Sequence, residues 1–413
     1  MEVMIRICIV LLLSLSSAHA AVIEAASSSY ADVNTAVGTA SNGDTVIIPA
    51  GNSTWTSMLD IPVGITVQGA GVANTQITAS GLTGPVLSFD MSGVTAYCRL
   101  TQLRFSGPTS YPLVELDGSG TDKQITFRID NCFFKGGKRA INPVGWTLGV
   151  IDNNTFSNCN IAVGFDGDRD NAWARTIEAG AGDSVYIEDN VFVLDDNVST
   201  DPNEQIYHAS GCRSVTRYNA FDSTAMTGYS SVIYDTHGNW PLSSPVDPDD
   251  ENADYYRGQP IVEVYGNTID IHHSYRYFNL RGGSMIIYSN TLTYASGGKP
   301  TQFELTEEES WQTVHFSPLR SAWPASDQVS NTFFWANTIN AGAAVPSLGH
   351  PAESQDALFI HENRDYWLQA PNATNGSPAG VYSNYTAYTY PHPFRSWWET
   401  HNPSVSGLRM EGP

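Results

Sequence analysis

The chain has 413 residues, with 42 Asp and Glu against 20 Lys and Arg, a formal charge of −22, and only 15% charged residues. This balance excludes sequence-independent nucleic-acid binding and docking on anionic lipid, both of which need clustered Lys and Arg. A local basic patch can still receive an anionic substrate. With 41% hydrophobic residues the chain is expected to fold, into several domains or one elongated repeat domain.

Arg6 precedes an apolar run, Ile7 to Leu15, and Ala18-His19-Ala20 follows with small residues at cleavage offsets. The pattern predicts a secretory signal peptide over 1–20 and a mature protein that is secreted, periplasmic or on the cell surface. No later stretch approaches the roughly 18–20 apolar residues that span a bilayer, so no transmembrane anchor is expected. Cys98, Cys132, Cys159 and Cys212 allow up to two disulfides in three pairings. No Cys-x-x-Cys occurs, which argues against zinc and dithiol redox sites.

Val33, Ala36 and Val37 fall at helical spacing within 30–40 and predict a short amphipathic capping helix. Residues 44–48 and 65–69 then read as the first strands. From residue 120 onward one pattern recurs: an alternating apolar strand, then Asn, a small residue and an apolar one. Examples are Val185-Tyr-Ile-Glu-Asp-Asn190-Val-Phe192, Val215-Thr-Arg-Tyr-Asn219-Ala-Phe221 and Val262-Glu-Val-Tyr-Gly-Asn267-Thr-Ile269. Asn154, Asn290 and Asn337 fit the same pattern, Cys132 stands in the Asn place, and Asn363 extends the series. The shortest offsets are 22 (Cys132 to Asn154) and 23 (Asn267 to Asn290). Longer ones read as one coil with an insertion, or as two coils.

Such a period, with no helix between strands, is the signature of a β-solenoid. Stacked coils would place Phe156, Phe192, Phe221 and Ile269 in one internal column. The recurring Asn would sit at a bend, tolerate a left-handed backbone, and bond the Asn of the next coil. The layout over roughly 28–370 resembles the pectin-lyase-like superfamily. The resemblance implies an all-β, right-handed parallel β-helix over 21–370, with a capping helix and an irregular C-terminal cap over 371–413. The aromatic tail, Tyr382 to Trp398, is expected to plug the last coil's open edge; the alternative is an aromatic platform for sugar rings.

Polar residues unsuited to an ordinary surface accumulate over 204–281. There lie Tyr207, His208, Arg213, Arg217, Tyr234, Asp235, His237, Arg276 and Arg281, with His272 and His273. Eliminative cleavage of a uronate needs a cation for the carboxylate, a base for the C5 proton and an acid for the leaving oxygen. Arg213, Arg217 or Arg281 can neutralise, His208 or His237 can be the base, and Tyr207 or Tyr234 the acid. Hydrolysis needs two carboxylates, for which Asp235 with Glu188 or Asp189 is the available pairing. Asp235 can otherwise serve to orient His237.

The segment from His208 to Asn239 resembles the active-site region of the alginate and chondroitin lyases with this fold. Arg217-Tyr-Asn-Ala-Phe221 and His237-Gly-Asn239 match their pattern. Ser210 stands where the family has its catalytic Lys, and Thr236 where it has its catalytic Arg. The resemblance therefore implies a substitute base, His208 or Arg213. Arg281, nine residues before Asn290 as Ser210 is before Asn219, would supply the missing cation. Asp166, Asp168 and Asp170 alternate as in a calcium loop, but Ile177 holds the twelfth position; Ca²⁺ is the one cofactor this suggests. The expectation is a secreted protein acting on an acidic or neutral polysaccharide, most directly a lyase on a uronate-containing glycan. A glycoside hydrolase and a non-catalytic glycan-binding or structural solenoid are the alternatives.

Overall fold

A computed structural model describes residues 20–91, 94, 96–107, 110–118, 125–167, 171–172, 175–176, 178–195, 203–226, 231–238, 258–271, 276–294, 301–306, 329–340, 342–343, 360–375 and 382–401. The predicted signal peptide, up to residue 19, therefore lies outside the described residues. Among the described residues no helix is long and apolar enough to cross a membrane.

The chain winds through three sheets in constant order. Among the described residues sheet A has 12 strands, from Val22–Glu24 to Tyr366–Trp367; sheet B has 11, from Gly51–Trp55 to Gly342–Ala343; sheet C has nine, from Leu59–Ile61 to Thr301–Leu305. Among these, each strand pairs in parallel with its counterpart one coil on, and only the final pair in sheet B is antiparallel. The helix Tyr30–Thr39 caps the first coil and buries Val33, Ala36 and Val37, as its spacing predicts; Ser29 caps it by accepting from the Asp32 amide.

Inside, Phe105, Phe134, Phe156, Phe192 and Phe221 stack with centroids 5.8, 5.2, 4.8 and 4.4 Å apart, and Ile269 continues the column. At the turn from sheet A to sheet B the Asn side chains form a buried ladder. The Asn154 amide donates to Asn190 Oδ1, Asn190 to Asn219, Asn219 to Asn267, Asn267 to Asn290 and Asn290 to Asn337, at 2.9–3.1 Å. Cys132 joins through its amide to Asn154 Oδ1. The left-handed residue is the one before each ladder position: Asn131, Asn153, Asp189, Tyr218, Gly266, Ser289 and Ala336 all have φ between 52° and 68°. The ladder Asn is thus selected for its amide rather than for its backbone. Asn363 is not a member; it precedes the last strand of sheet A instead of following it.

Asn219→Ala removes the acceptor of the Asn190 amide and Nδ2, and the donor to Asn267 Oδ1 and Ile187 O. The expected loss is about 2–3 kcal/mol, from buried groups left unsatisfied. A urea unfolding curve indistinguishable from the parent's would contradict this role for the ladder.

The offsets of 36, 48 and 47 between ladder positions are single coils with insertions. The extra residues, 167–184, 237–258 and 306–331, all enter between a strand of sheet C and the next strand of sheet A. These three insertions therefore share one corner of the solenoid.

Over its described residues 382–401 the tail does not plug the last coil. It runs back along the outer face of sheet A as a strap ending in the helix Pro393–His401. Tyr382 packs on Phe333, Tyr385 on Tyr288, Tyr388 on Tyr186, and Phe394 and Trp397 on Tyr97. Beneath it lies a polar column: Asp130, Asp152, Glu188 and Arg217 in register on successive strands. Arg395 bridges Asp152 (3.1 Å), Glu188 (2.9 Å) and Asp189 (2.5 Å). Most of the strap's rings pack on protein, and Tyr390 stays exposed. The four cysteines are buried and unpaired, so no predicted disulfide forms. Burial pushes the Cys98 and Cys159 thiols up to about 12.

Candidate functional site

Parallel stacking puts residues of like register in columns about 4.8 Å apart. On sheet C one column reads Gly164, Tyr207, Asp235, Asn279, Glu304. Two residues on, His237 continues past Asp235, and Arg281 past Asn279. Gly164 matters because it has no side chain: a Cβ there would lie 3.0–3.1 Å from Arg139 Cδ and Nε. Arg139 crosses this gap and sets its guanidinium 5.2 Å from the centre of the Tyr207 ring.

Asp235 is the hub and is fully buried. Its Oδ1 accepts from Asn279 Nδ2 at 2.6 Å and its Oδ2 from Arg281 Nη2 at 2.7 Å. His237 Nε2 lies 3.6 Å from the same Oδ2, and Arg281 Nη1 lies 3.2 Å from His237 Nδ1. A guanidinium can only donate, so Nδ1 accepts and the ring proton sits on Nε2, facing Asp235. The Tyr207 ring lies 4.9 Å from the imidazole. His237 and Arg281 keep 16% and 23% of their side-chain surface exposed, while Asp235 keeps none. The site therefore presents an imidazole, a guanidinium and a phenol to solvent over a buried carboxylate.

Glu204 is the second buried acid here. Burial, and then the Asp235 charge, push its carboxyl well above the usual range; Asp235 is driven up by burial, but the Arg281 charge and the hydrogen bond from Glu204 help to outweigh this and hold it low. Glu204 is thus protonated and hydrogen-bonded to ionised Asp235. The signs follow from linkage. The raised Glu204 contributes stability that is complete below the ordinary carboxylate range and is lost as pH rises through its folded value. The lowered Asp235 contributes stability that is present above that range and is lost in acid. Glu204→Gln keeps a neutral donor, so its melting temperature should equal or exceed the parent's at alkaline pH, with the alkaline-side decline removed. Thermal melts of both proteins across pH check this; an unchanged decline would exclude Glu204 as its source.

The structure brings together His237, Asp235, Arg281 and Tyr207 from the sequence expectation, and separates the others. His208 lies inside the coil, stacked between Phe165 and Tyr234 and bonded to Ser214 Oγ at 2.7 Å; burial pushes it down to about 3. Tyr234 is likewise internal, its hydroxyl 2.7 Å from Ser214 Oγ. Neither reaches the outer face of sheet C, because strand alternation turns them inward while Tyr207 and Asp235 face out. Arg217 is on sheet A, sealed under the strap, and pairs with Glu188. Glu188 and Asp189 belong to that same face, so neither partners Asp235 for hydrolysis. Arg276 pairs with Glu304 at 2.8 Å at the edge of the cluster. Arg213 lies on sheet A at the insertion-bearing corner.

Arg139, Glu204, Asn279 and Glu304 were missed. No motif marks them, and only the coil-by-coil register aligns them with Asp235. Asp166 pairs with Arg139; Asp168 and Asp170, the other two members of the expected calcium loop, lie outside the described residues, as do Asn239, His272 and His273. Ligand atoms of Glu204, Asp235 and His237 lie within 4.8 Å of one another. A divalent cation there would have to displace the Glu204 proton and the Arg281 guanidinium from Asp235, a donor set already compensated by protein charge.

The sequence matches no protein-family model and no curated protein. The structure is similar to that of an alginate lyase from a Paenibacillus species, with TM-score 0.50 and 12% identity over 80% of this chain and 99% of that one. The fold is the right-handed parallel β-helix. Looser similarities are to a PL6 family polysaccharide lyase from Pseudopedobacter saltans (TM-score 0.35, 11% identity, 86% of this chain and 98% of that one) and to the catalytic domain of a GH87 α-1,3-glucanase (0.36, 11%, 81% and 66%). At these identities the β-helix itself is what is shared.

Proposed function

We propose that the protein is a secreted polysaccharide lyase that cleaves a uronate-containing glycan by β-elimination on the outer face of sheet C. The observation that carries this reading is the cluster of His237, Arg281 and Tyr207 over buried Asp235. Arg281 binds the substrate carboxylate and lowers the cost of the carbanion that forms at C5. As it turns to that carboxylate it releases His237 Nδ1, which takes the C5 proton. Asp235 accepts from Nε2–H and stabilises the imidazolium, a contact of 3.6 Å in the free enzyme that tightens as charge develops. Tyr207, beside the imidazole, protonates the leaving oxygen.

The same geometry weighs against a hydrolase at this point. Glu204 and Asp235 have carboxylate oxygens within 4.8 Å and share a proton, whereas glycosidase carboxyl pairs flank the bond at roughly 5–5.5 or 6.5–9.5 Å. The test is incubation with alginate, pectate and glycosaminoglycan polymers, with Ca²⁺ or with chelator. Ultraviolet absorbance from an unsaturated uronate is the expected result. New reducing ends without that absorbance would replace the lyase with a hydrolase, and neither signal would leave a non-catalytic binding protein.

A further inference from the structure

A second guanidinium meets the reacting cluster from the side opposite Arg281. Arg139 opens the strand Arg139–Gly145, two coils before Tyr207, and Gly164 stands on the coil between them. Any side chain in the Gly164 place would close the way, because its Cβ would lie 3.0 Å from Arg139 Cδ and 3.1 Å from Nε. Arg139 passes through this gap, and its guanidinium lies over the Tyr207 ring, 5.2 Å from the centre. Its Nη1 donates to Asn142 Oδ1 at 2.7 Å and to Asp166 Oδ2. Asn142 is itself held by donating to Glu115 Oε2 at 3.3 Å. The guanidinium is therefore fixed by protein oxygens, and it rests on Tyr207 with its charge already paired.

Tyr207 thus has Arg139 on the preceding side and His237 on the following one, the imidazole centre 4.9 Å from the phenol ring. The Arg139 charge is felt across the cluster. Burial and the Asp235 charge raise the Glu204 carboxyl, while Arg281 and then Arg139 pull against them. A cation within roughly 6 Å of an aromatic face is attracted to its π-cloud. That attraction grows when the hydroxyl loses its proton, because the ring then carries a full negative charge. A cation fixed before the reaction needs no reorganisation as that charge develops.

We infer that Arg139 is a positioning residue for the Tyr207 acid: it holds the ring in place and stabilises the phenolate left when the proton departs. The inference rests on the lyase reading of the cluster. In that step the C5 proton goes to His237 Nδ1, and the C5–H electron pair becomes the second bond between C4 and C5. The C4–O bond breaks with its pair on oxygen, and this oxygen takes the Tyr207 proton. An imidazolium and a phenolate remain, so net charge is unchanged, and solvent water carries a proton from one to the other before the next turnover. Gly164 belongs to the same device, since only an absent side chain lets the guanidinium through.

The test is a double-mutant cycle on the uronate polymer that the parent cleaves. Arg139→Gln should lower kcat about tenfold with KM within about twofold, and Arg139→Lys should recover part of the loss. Tyr207→Phe should lose about 10²-fold or more. Adding Arg139→Gln to it should cost less than about twofold further, because both residues act on one proton transfer. A uronide carrying dinitrophenolate at C4, a leaving group that departs without a proton, should be cleaved by Arg139→Gln at close to the parent rate. Gly164→Val, which blocks the passage with Arg139 still in the chain, should show the same pattern; melting temperatures confirm that each variant is folded. A loss that persists in the Tyr207→Phe background, or that is equal on the two substrates, overturns the inference, as does an unchanged kcat in Arg139→Gln. Full activity in Tyr207→Phe removes the acid and its positioning residue but leaves His237 and Arg281 in place. A parent that cleaves no uronate removes the functional reading and this inference together.

Discussion

His237→Ala is expected to lower kcat by about 10²- to 10⁴-fold, the range for removing a positioned general base, while leaving the melting temperature near the parent's. The imidazole is partly exposed, and it contacts Arg281, Asp235 and the Tyr207 ring. Arg281 and Asp235 remain bonded to each other at 2.7 Å without it, so the buried carboxylate keeps its counter-charge. Single-turnover rates on the cleaved polymer, beside thermal melts, separate chemistry from folding. Full activity in a folded His237→Ala would remove this residue from the mechanism.

Arg217→Met should have the largest effect on stability, about 3–5 kcal/mol, the range for breaking a buried ion pair by removing one partner. Arg217 has no exposed side-chain surface. Its guanidinium donates to Glu188 Oε2, to the Tyr265 hydroxyl, and to the carbonyls of Tyr388 and Thr389. It also lies 4.6 Å from the Tyr186 ring centre. The loss should fall first on the strap, because two of these bonds hold its backbone to sheet A. Limited proteolysis should then cut near residues 382–390 well below the denaturant concentration that unfolds the coils. A variant as resistant as the parent would show that the remaining contacts, Arg395 above all, hold the strap without Arg217.

The two variants divide the His/Arg-rich stretch that looks uniform in sequence. Arg217 and His237 are twenty residues apart and both sit in family-like motifs, yet one is roofed by the tail and the other is partly exposed just past sheet C. Arg217-Tyr-Asn-Ala-Phe221 resembles a catalytic motif because its Asn and Phe are ladder and core positions of a coil, which recur for structural reasons. Similarly, His208 and Tyr207 are neighbours, and strand alternation alone sends the first inside and the second out.

The coil period, the Asn ladder, the phenylalanine column and the capping helix were legible because each is a local pattern repeated at a spacing set by one turn of the solenoid. A buried Asn that must serve two coils leaves a mark in each coil from Asn154 to Asn337. What only the tertiary structure decided depends on contacts between residues far apart in sequence. Arg139, Glu204, Asp235, Asn279 and Arg281 meet because the insertions lengthen coils without shifting their register. Part of the chain's acidity is compensated the same way: Asp130, Asp152 and Glu188 are paired beneath a strap that begins more than 190 residues later (from Glu188 to Tyr382 is 194). The aromatic tail looked like a plug because its composition shows that it must cover apolar surface, whereas which surface it covers is set by Arg217 and Arg395.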